Sequence, residues 1–125
     1  METQLLVVED SPLLLKVFRS QFKYLKVRSD FVSYGSDAIA IFQEKTYDLI
    51  FMDIMLLDMT GLDVTKAIRE LELTEKLDAV PIIAITASGN RSECIAAGMS
   101  DFALKPVTIE DFQRFLNKWC PSWTD

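Results

Sequence analysis

Three carboxylates, a hydroxyl and an ammonium each stand at the end of a short apolar run. Glu9 and Asp10 follow Leu5-Leu6-Val7-Val8, and Asp53 follows Leu49-Ile50-Phe51-Met52. Thr86 follows Ile82-Ile83-Ala84-Ile85, and Lys105 follows Phe102-Ala103-Leu104. Carboxylates brought together repel one another and need a cation or a proton between them. Mg2+ suits such a set, because it takes oxygen ligands from one or two carboxylates and fills its other positions with water or phosphate oxygens. Phosphoryl transfer asks for an in-line nucleophile and for positive charge over the equatorial oxygens. A carboxylate can be that nucleophile, giving an aspartyl phosphate. Asp53 would accept the group, Lys105 and the metal would hold its oxygens, and the Thr86 hydroxyl would bond another.

Each residue also has a plainer reading. Glu9-Asp10-Ser11-Pro12 is a fair helix start, with Ser11 capping, Pro12 in the first turn and acids at the positive dipole end. Asp53 could cap or turn, Thr86 could be an ordinary β-branched strand residue, Lys105 a solvated charge and Phe102 plain core. Pro106 holds Lys105 extended, which aims its side chain. The set carries more weight than its members.

The elements that must position these groups follow from periodicity. The four apolar runs do not alternate, which predicts strands covered on both faces of a parallel sheet. A weaker strand spans Val27 to Phe31. Helical spacing fills the gaps. It marks Leu14, Leu15, Phe18 and Phe22, then Ala38, Ile41 and Phe42 behind a Ser36 cap, then Val64, Ala67, Ile68 and Leu71. A short helix around Glu93 to Ala97 ends at Gly98, and Ile109, Phe112, Leu116 and Trp119 line a last one capped by Thr108. Strand and helix alternating in this way predict an α/β doubly wound sheet, five strands with five helices, whose ligands sit beyond the carboxyl ends of the strands.

With 125 residues, half of them hydrophobic, the chain is expected to form a single domain over 1–125, its core about residues 4–119. No run reaches the ~20 apolar residues of a membrane span, and the polar start does not read as a signal peptide. A cytoplasmic protein is the expectation. The net charge of −6 argues against direct nucleic acid binding. Cys94 and Cys120 make neither a disulfide framework nor a metal knuckle. The absence of histidine removes Ser-His and Cys-His nucleophile pairs and imidazole metal sites.

Val7-Val8-Glu9-Asp10-Ser11, Met52-Asp53-Ile54-Met55 leading to Gly61, Ile85-Thr86-Ala87, and Ala97-Gly98-Met99-Ser100-Asp101-Phe102 before Lys105-Pro106 together resemble the receiver domains of two-component response regulators. The likeness runs from about Gln4 to Trp119 and implies the flavodoxin-like strand order 2-1-3-4-5. It implies that Asp53 is the phosphoacceptor and that Glu9, Asp10, Asp53 and the Met55 backbone carbonyl hold Mg2+. Thr86 is then the switch hydroxyl, Phe102 the switch aromatic that rotates with it, and Lys105 the partner of the phosphoryl group, before a cis Lys105-Pro106 peptide. The donor implied is a phosphohistidine on a histidine kinase or a histidine phosphotransfer protein. The fourth helix, fifth strand and fifth helix would form the signalling face, exposing parts of Asn90–Ala97 and Glu110–Lys118, and a homodimer would use that face.

Cys94 to Phe102 looks closest to receivers of hybrid sensor kinases, so the chain is expected to be a stand-alone regulator or a receiver from a larger protein such as a membrane-bound hybrid kinase. Leu57 stands where the family carries proline, four residues past the phosphoacceptor, which puts the stiffness of that loop in question. Met55 and Ser88 flank the site where loss of the phosphoryl group is tuned, and Met55 offers no polar group to a hydrolytic water. The reading that follows is a signalling module, not an enzyme in the ordinary sense, that promotes its own phosphorylation and dephosphorylation. Two rivals are weaker. A dehalogenase-like phosphatase needs a second Asp where Met55 stands, and nucleotide-binding glycine loops are absent. A docking module that binds a kinase or partner without phosphate turnover would not need every one of these site residues.

Overall fold

The computed structural model describes residues 2–87 and 90–124. Strand and helix alternate along them: β1 (Gln4–Val8), α1 (Pro12–Leu25), β2 (Arg28–Val32), α2 (Gly35–Glu44), β3 (Leu49–Asp53), α3 (Gly61–Glu75), β4 (Ile82–Thr86), α4 (Arg91–Ala96), β5 (Asp101–Leu104) and α5 (Ile109–Trp119). All pairings are parallel, in the order β2-β1-β3-β4-β5. This is the flavodoxin-like order expected.

Successive strand residues point to opposite faces, and each face carries its own core. Leu5, Val7, Phe51, Ile83 and Ile85 pack with Phe18 and Phe22 of α1 and Phe112, Phe115 and Leu116 of α5. Leu6, Val8, Ile50, Met52, Ile82 and Ala84 pack with residues of α2, α3 and α4. β3 and β4 are buried at every position, as unbroken apolar runs require. Phe112 joins α5 to the sheet: its ring centroid lies 4.6 Å from that of Phe22 and 5.0 Å from that of Phe51. Truncating such a ring to alanine costs about 3–5 kcal/mol.

The helix ends match their capping chemistry in most places. Ser11 Oγ accepts the Leu14 N–H, and Thr108 and Asp111 form a reciprocal capping box at α5. Gly98 takes φ 107°, and the N–H groups of Gly98 and Met99 close α4 on Ile95 and Cys94.

Some expectations need correction. Ser36 does not cap α2; it lies inside the first turn, and the N-cap Tyr34 makes no side-chain bond. Asp58, from the loop after β3, accepts the N–H groups of Gly35 and Ser36 at 2.8 and 3.0 Å. A carboxylate at the positive end of a helix is a stronger acceptor there than a hydroxyl. The weak second strand runs from Arg28 to Val32, one residue later than its apolar pattern indicated. The fourth helix begins at Arg91 under an Asn90 cap, before Glu93. The Phe102-Ala103-Leu104 run is not buried throughout, since Leu104 is 56% exposed. β5 is a sheet edge paired only with β4, so its side chains have fewer neighbours. No helix among the described residues is long and apolar enough to cross a membrane.

Candidate functional site

Parallel strands deliver their carboxyl ends to one rim. β3 ends in Asp53, and the neighbouring β4 pairs Ile85 with it, leaving Thr86 one step further along. Glu9 follows β1, and its N–H donates to Val32 of β2. Lys105 follows β5, and its N–H donates to the Thr86 carbonyl at 2.8 Å. The chain beyond it is held by Gln21 of α1, whose amide donates to the Val107 carbonyl at 3.2 Å, and the Lys105–Pro106 peptide is cis.

The side chains converge as the sequence indicates. One carboxylate oxygen each from Glu9, Asp10 and Asp53 lies within 4.8 Å of the others. Lys105 Nζ lies 3.0 Å from Glu9 Oε1 and 3.3 Å from Asp53 Oδ2. Glu9, Asp53 and Thr86 are buried, and Asp10 keeps some contact with water. The Ser11 N–H donates to Glu9 Oε2 at 3.0 Å, so the helix start serves the site as well as α1. The Met55 N–H donates a long bond of 3.4 Å to Asp53 Oδ1.

Burial and mutual repulsion set the charges. Burial, then the Glu9 carboxylate beside it, push Asp53 up to about 7 against the opposing pull of Lys105. Burial would raise Glu9 as well. The Ser11 N–H and its contacts with Asp53 and Lys105 outweigh that and hold Glu9 below the usual range. Burial would lower Lys105, but the Glu9 and Asp53 carboxylates override it and raise its pKa. A site of three carboxylates and one ammonium is thus short of positive charge.

A hard divalent cation fits that shortage. All three side-chain donors are oxygens, the set Mg2+ prefers. Glu9 Oε1 is wholly enclosed, and the Lys105 ammonium that meets it at 3.0 Å is shared with Asp53. One ammonium shared between enclosed carboxylates leaves charge that a metal cation would balance.

Phe102, on β5 opposite Ala84, packs its partly buried ring against the cluster under α2 to α4. Ser88 lies outside the described residues. Three residues in and around the site were given no role from sequence. Gly61 donates its N–H to the Ile54 carbonyl at 2.7 Å, and a Cβ there would run into the Asp53 carbonyl oxygen. Asp58 ties the same loop to α2. Asp101, buried in β5 beside Phe102, is met by Lys118 Nζ at 3.0 Å, Trp119 Nε1 at 3.2 Å and Arg91 Nη1 at 3.6 Å. Gly61 and Asp101 carried a signal, their places in the motif blocks, and Asp58 carried none.

The response regulator receiver domain profile matches residues 5–117. The chain belongs to the response regulator receiver family. Receivers are the phosphorelay modules of two-component signalling, and this receiver is 33% identical over 122 residues to the hybrid signal transduction histidine kinase L of Dictyostelium discoideum, covering 93% of the chain and 7% of that protein. It superposes on the receiver domain of sensor histidine kinase PA1611 from Pseudomonas aeruginosa PAO1, solved with magnesium in the active site cleft. The TM-score is 0.85 with 34% identity, covering 98% of this receiver and all of the other. The Ssk1 receiver domain of Saccharomyces cerevisiae, solved with the histidine phosphotransfer protein Ypd1, matches with TM-score 0.88 and 26% identity over 94% of this receiver and 88% of that chain. The receiver spans only 16% and 7% of the length of two curated relatives it matches, both histidine kinases.

Proposed function

We propose that Asp53 is the phosphoacceptor of this receiver and takes its phosphoryl group from a phosphohistidine. The observation that carries this is the convergence of Glu9, Asp10 and Asp53 within 4.8 Å under a shared Lys105 ammonium. An Asp53 carboxylate oxygen attacks phosphorus in line, the phosphorus–nitrogen bond to the donor imidazole breaks, and the imidazole leaves with the bonding pair. Glu9, Asp10, Asp53 and the Met55 backbone carbonyl would hold Mg2+, which supplies charge to the phosphoryl oxygens when bound. Lys105 stabilises the oxygen nearest it, and the Thr86 hydroxyl, at the end of β4, donates to another. Movement of Thr86 toward that oxygen opens room for the Phe102 ring and so alters the face of α4, β5 and α5.

Ile95 and Leu104, 44% and 56% exposed, give that face apolar ground for a partner or a second copy of the chain. The partner in phosphate exchange is a histidine kinase or a histidine phosphotransfer protein, and the net charge of −6 works against direct nucleic acid binding. The proposal extends to a single receiver domain over 1–125, acting in the cytoplasm as a regulator by itself or within a hybrid kinase, as a signalling module that promotes its own phosphorylation and dephosphorylation.

Incubation with acetyl phosphate and Mg2+, followed by intact-mass measurement, tests this. The wild type gains one phosphoryl group; Asp53→Asn, or wild type without Mg2+, gains none. A docking module without phosphate turnover would show no gain in the wild type, and a gain in Asp53→Asn would move the acceptor elsewhere.

A further inference from the structure

The loop from Ile54 to Thr60 carries the Met55 carbonyl and lacks the proline that would stiffen it, having Leu57 in that place. Within itself it is closed by an antiparallel bridge between Met55 and Thr60 and by the Gly61 N–H on the Ile54 carbonyl. Neither contact fixes it to the rest of the fold. Two others do. Asp58 uses both carboxylate oxygens, Oδ1 on the Gly35 N–H at 2.8 Å and Oδ2 on the Ser36 N–H at 3.0 Å. Beside it, the Met59 side chain and Val64 of α3 occupy the space that a Cβ on Gly35 would need, so a larger residue at 35 would have to push them aside.

The plainer account is that Asp58 only caps α2, which has no side-chain cap of its own at Tyr34. That explains the hydrogen bonds but not Gly35, whose bare backbone leaves room for Met59 of the loop and Val64 of α3. A glycine in the first turn of a helix is otherwise a loss. Capping and seating are thus two sides of one joint between α2 and the loop after Asp53.

The geometry points to Asp58 as a positioning residue for the acidic site: it anchors the proline-free loop to the N-terminus of α2 and so holds the Met55 backbone where a metal ligand is needed. The inference rests on the metal reading given under the proposed function. Mg2+ demands near-ideal octahedral geometry and punishes a wandering ligand. Groups that orient metal ligands from outside typically change affinity 10–100-fold when removed. Proline and a carboxylate anchor are alternative solutions to one problem, the first fixing a dihedral within the loop and the second tying the loop to its neighbour. Leu57 donates no backbone hydrogen bond among the described residues, so a proline at 57 removes none.

Calorimetric titration of Mg2+ into four proteins tests the inference: wild type, Asp58→Ala, Leu57→Pro with Asp58→Ala, and Ala40→Gly, which weakens the exposed side of α2 without touching the loop. Asp58→Ala should bind Mg2+ about 10-fold more weakly. The added proline should recover most of that loss, and Ala40→Gly should bind as wild type does. Should Asp58→Ala fold poorly, Asp58→Asn, which has a single acceptor oxygen for the two N–H groups, should give a smaller shift in the same direction. An Asp58→Ala affinity within twofold of wild type overturns the inference, as does an equal loss in Ala40→Gly or a failure of proline to restore binding. In each of those cases the wild type still binds Mg2+ and the metal reading stands. A wild type that binds no Mg2+ overturns that reading and this inference together.

Discussion

Lys105 Nζ lies 3.3 Å from Asp53 Oδ2. The same ammonium lies 3.0 Å from Glu9 Oε1, so one cation serves two carboxylates that are 1% and 4% exposed. Removing one member of a buried ion pair leaves the other uncompensated and costs about 3 kcal/mol. Lys105→Met should therefore lower stability by about that much in urea unfolding with EDTA present, less whatever the variant recovers by protonating a carboxylate. Adding Mg2+ should restore more stability to the variant than it adds to the wild type. A loss below ~0.5 kcal/mol would show the contact to be no stronger than a surface pair.

The raised Asp53 gives a pH signature. Its ordinary value is 3.8 and burial with Glu9 lifts it to about 7 in the fold. Between those values the native protein holds a proton that the unfolded chain has released, so stability must fall as pH rises through this window. The contribution is full below about 4 and gone above about 7. Asp53→Asn cannot titrate and should show a flatter profile from pH 4 to 7, with higher stability than wild type at neutral pH when EDTA is present. Mg2+ favours the ionised carboxylate and should flatten the wild-type profile too. Parallel slopes for wild type and Asp53→Asn would mean that another group carries the titration.

Asp101 behaves in the opposite sense. Burial would raise it, but Lys118, the Phe102 N–H and the Trp119 N–H outweigh burial and hold it below the ordinary carboxylate range. Its contribution is present above the unfolded value, near 4, and is lost as pH falls through the folded one. Asp101→Asn keeps the shape and loses the charge, and should cost about 2 kcal/mol at pH 7. Near pH 3 the cost should shrink. Urea unfolding followed by tryptophan emission measures both, and equal costs at the two pH values would remove the charge from the account.

The convergence at the rim was legible because it rests on two local signals, unbroken apolar runs and the residue that ends each run. A parallel sheet turns those separate positions into one site, and Glu9, Asp10, Asp53 and Lys105 meet there. What sequence could not show is pairing at a distance. Ser36 looked like the cap of α2 because serine caps locally, whereas Asp58 arrives from 22 residues away and is the stronger acceptor. Asp101 stood in a motif block without a role of its own, since nothing in a linear pattern brings Arg91, Lys118 and Trp119 to it. Leu104 read as core because its run is apolar, and edge position rather than composition leaves it exposed.

Gly61 is needed for close approach. A Cβ at this position would strike the Asp53 carbonyl oxygen and crowd Met52 Cγ, which is 2.9 Å away. The first contact is backbone and cannot swing aside. Gly61→Ala should cost about 2 kcal/mol or more, by the usual penalty for overpacking a tight site. Because the displaced strand end is Asp53 itself, the variant should also gain less phosphoryl label from acetyl phosphate. Unchanged stability together with unchanged labelling would show that the loop can move away freely.

Met55 bears on how long the phosphorylated state lasts. It lies two residues past Asp53, its backbone nitrogen is 3.4 Å from Asp53 Oδ1, and the residue is 71% exposed. Hydrolysis of an aspartyl phosphate needs a water held in line with the phosphorus–oxygen bond. A thioether accepts hydrogen bonds only weakly and donates none, so it cannot hold that water. The phosphorylated wild type should therefore lose label slowly once acetyl phosphate is removed. Met55→Asn places a donor and an acceptor at the same point and should speed the loss by about 10-fold, within the range that positioning a reactant supplies. Intact-mass measurement over time follows both proteins. Rapid loss in the wild type, or no change in the variant, would place control of the water elsewhere.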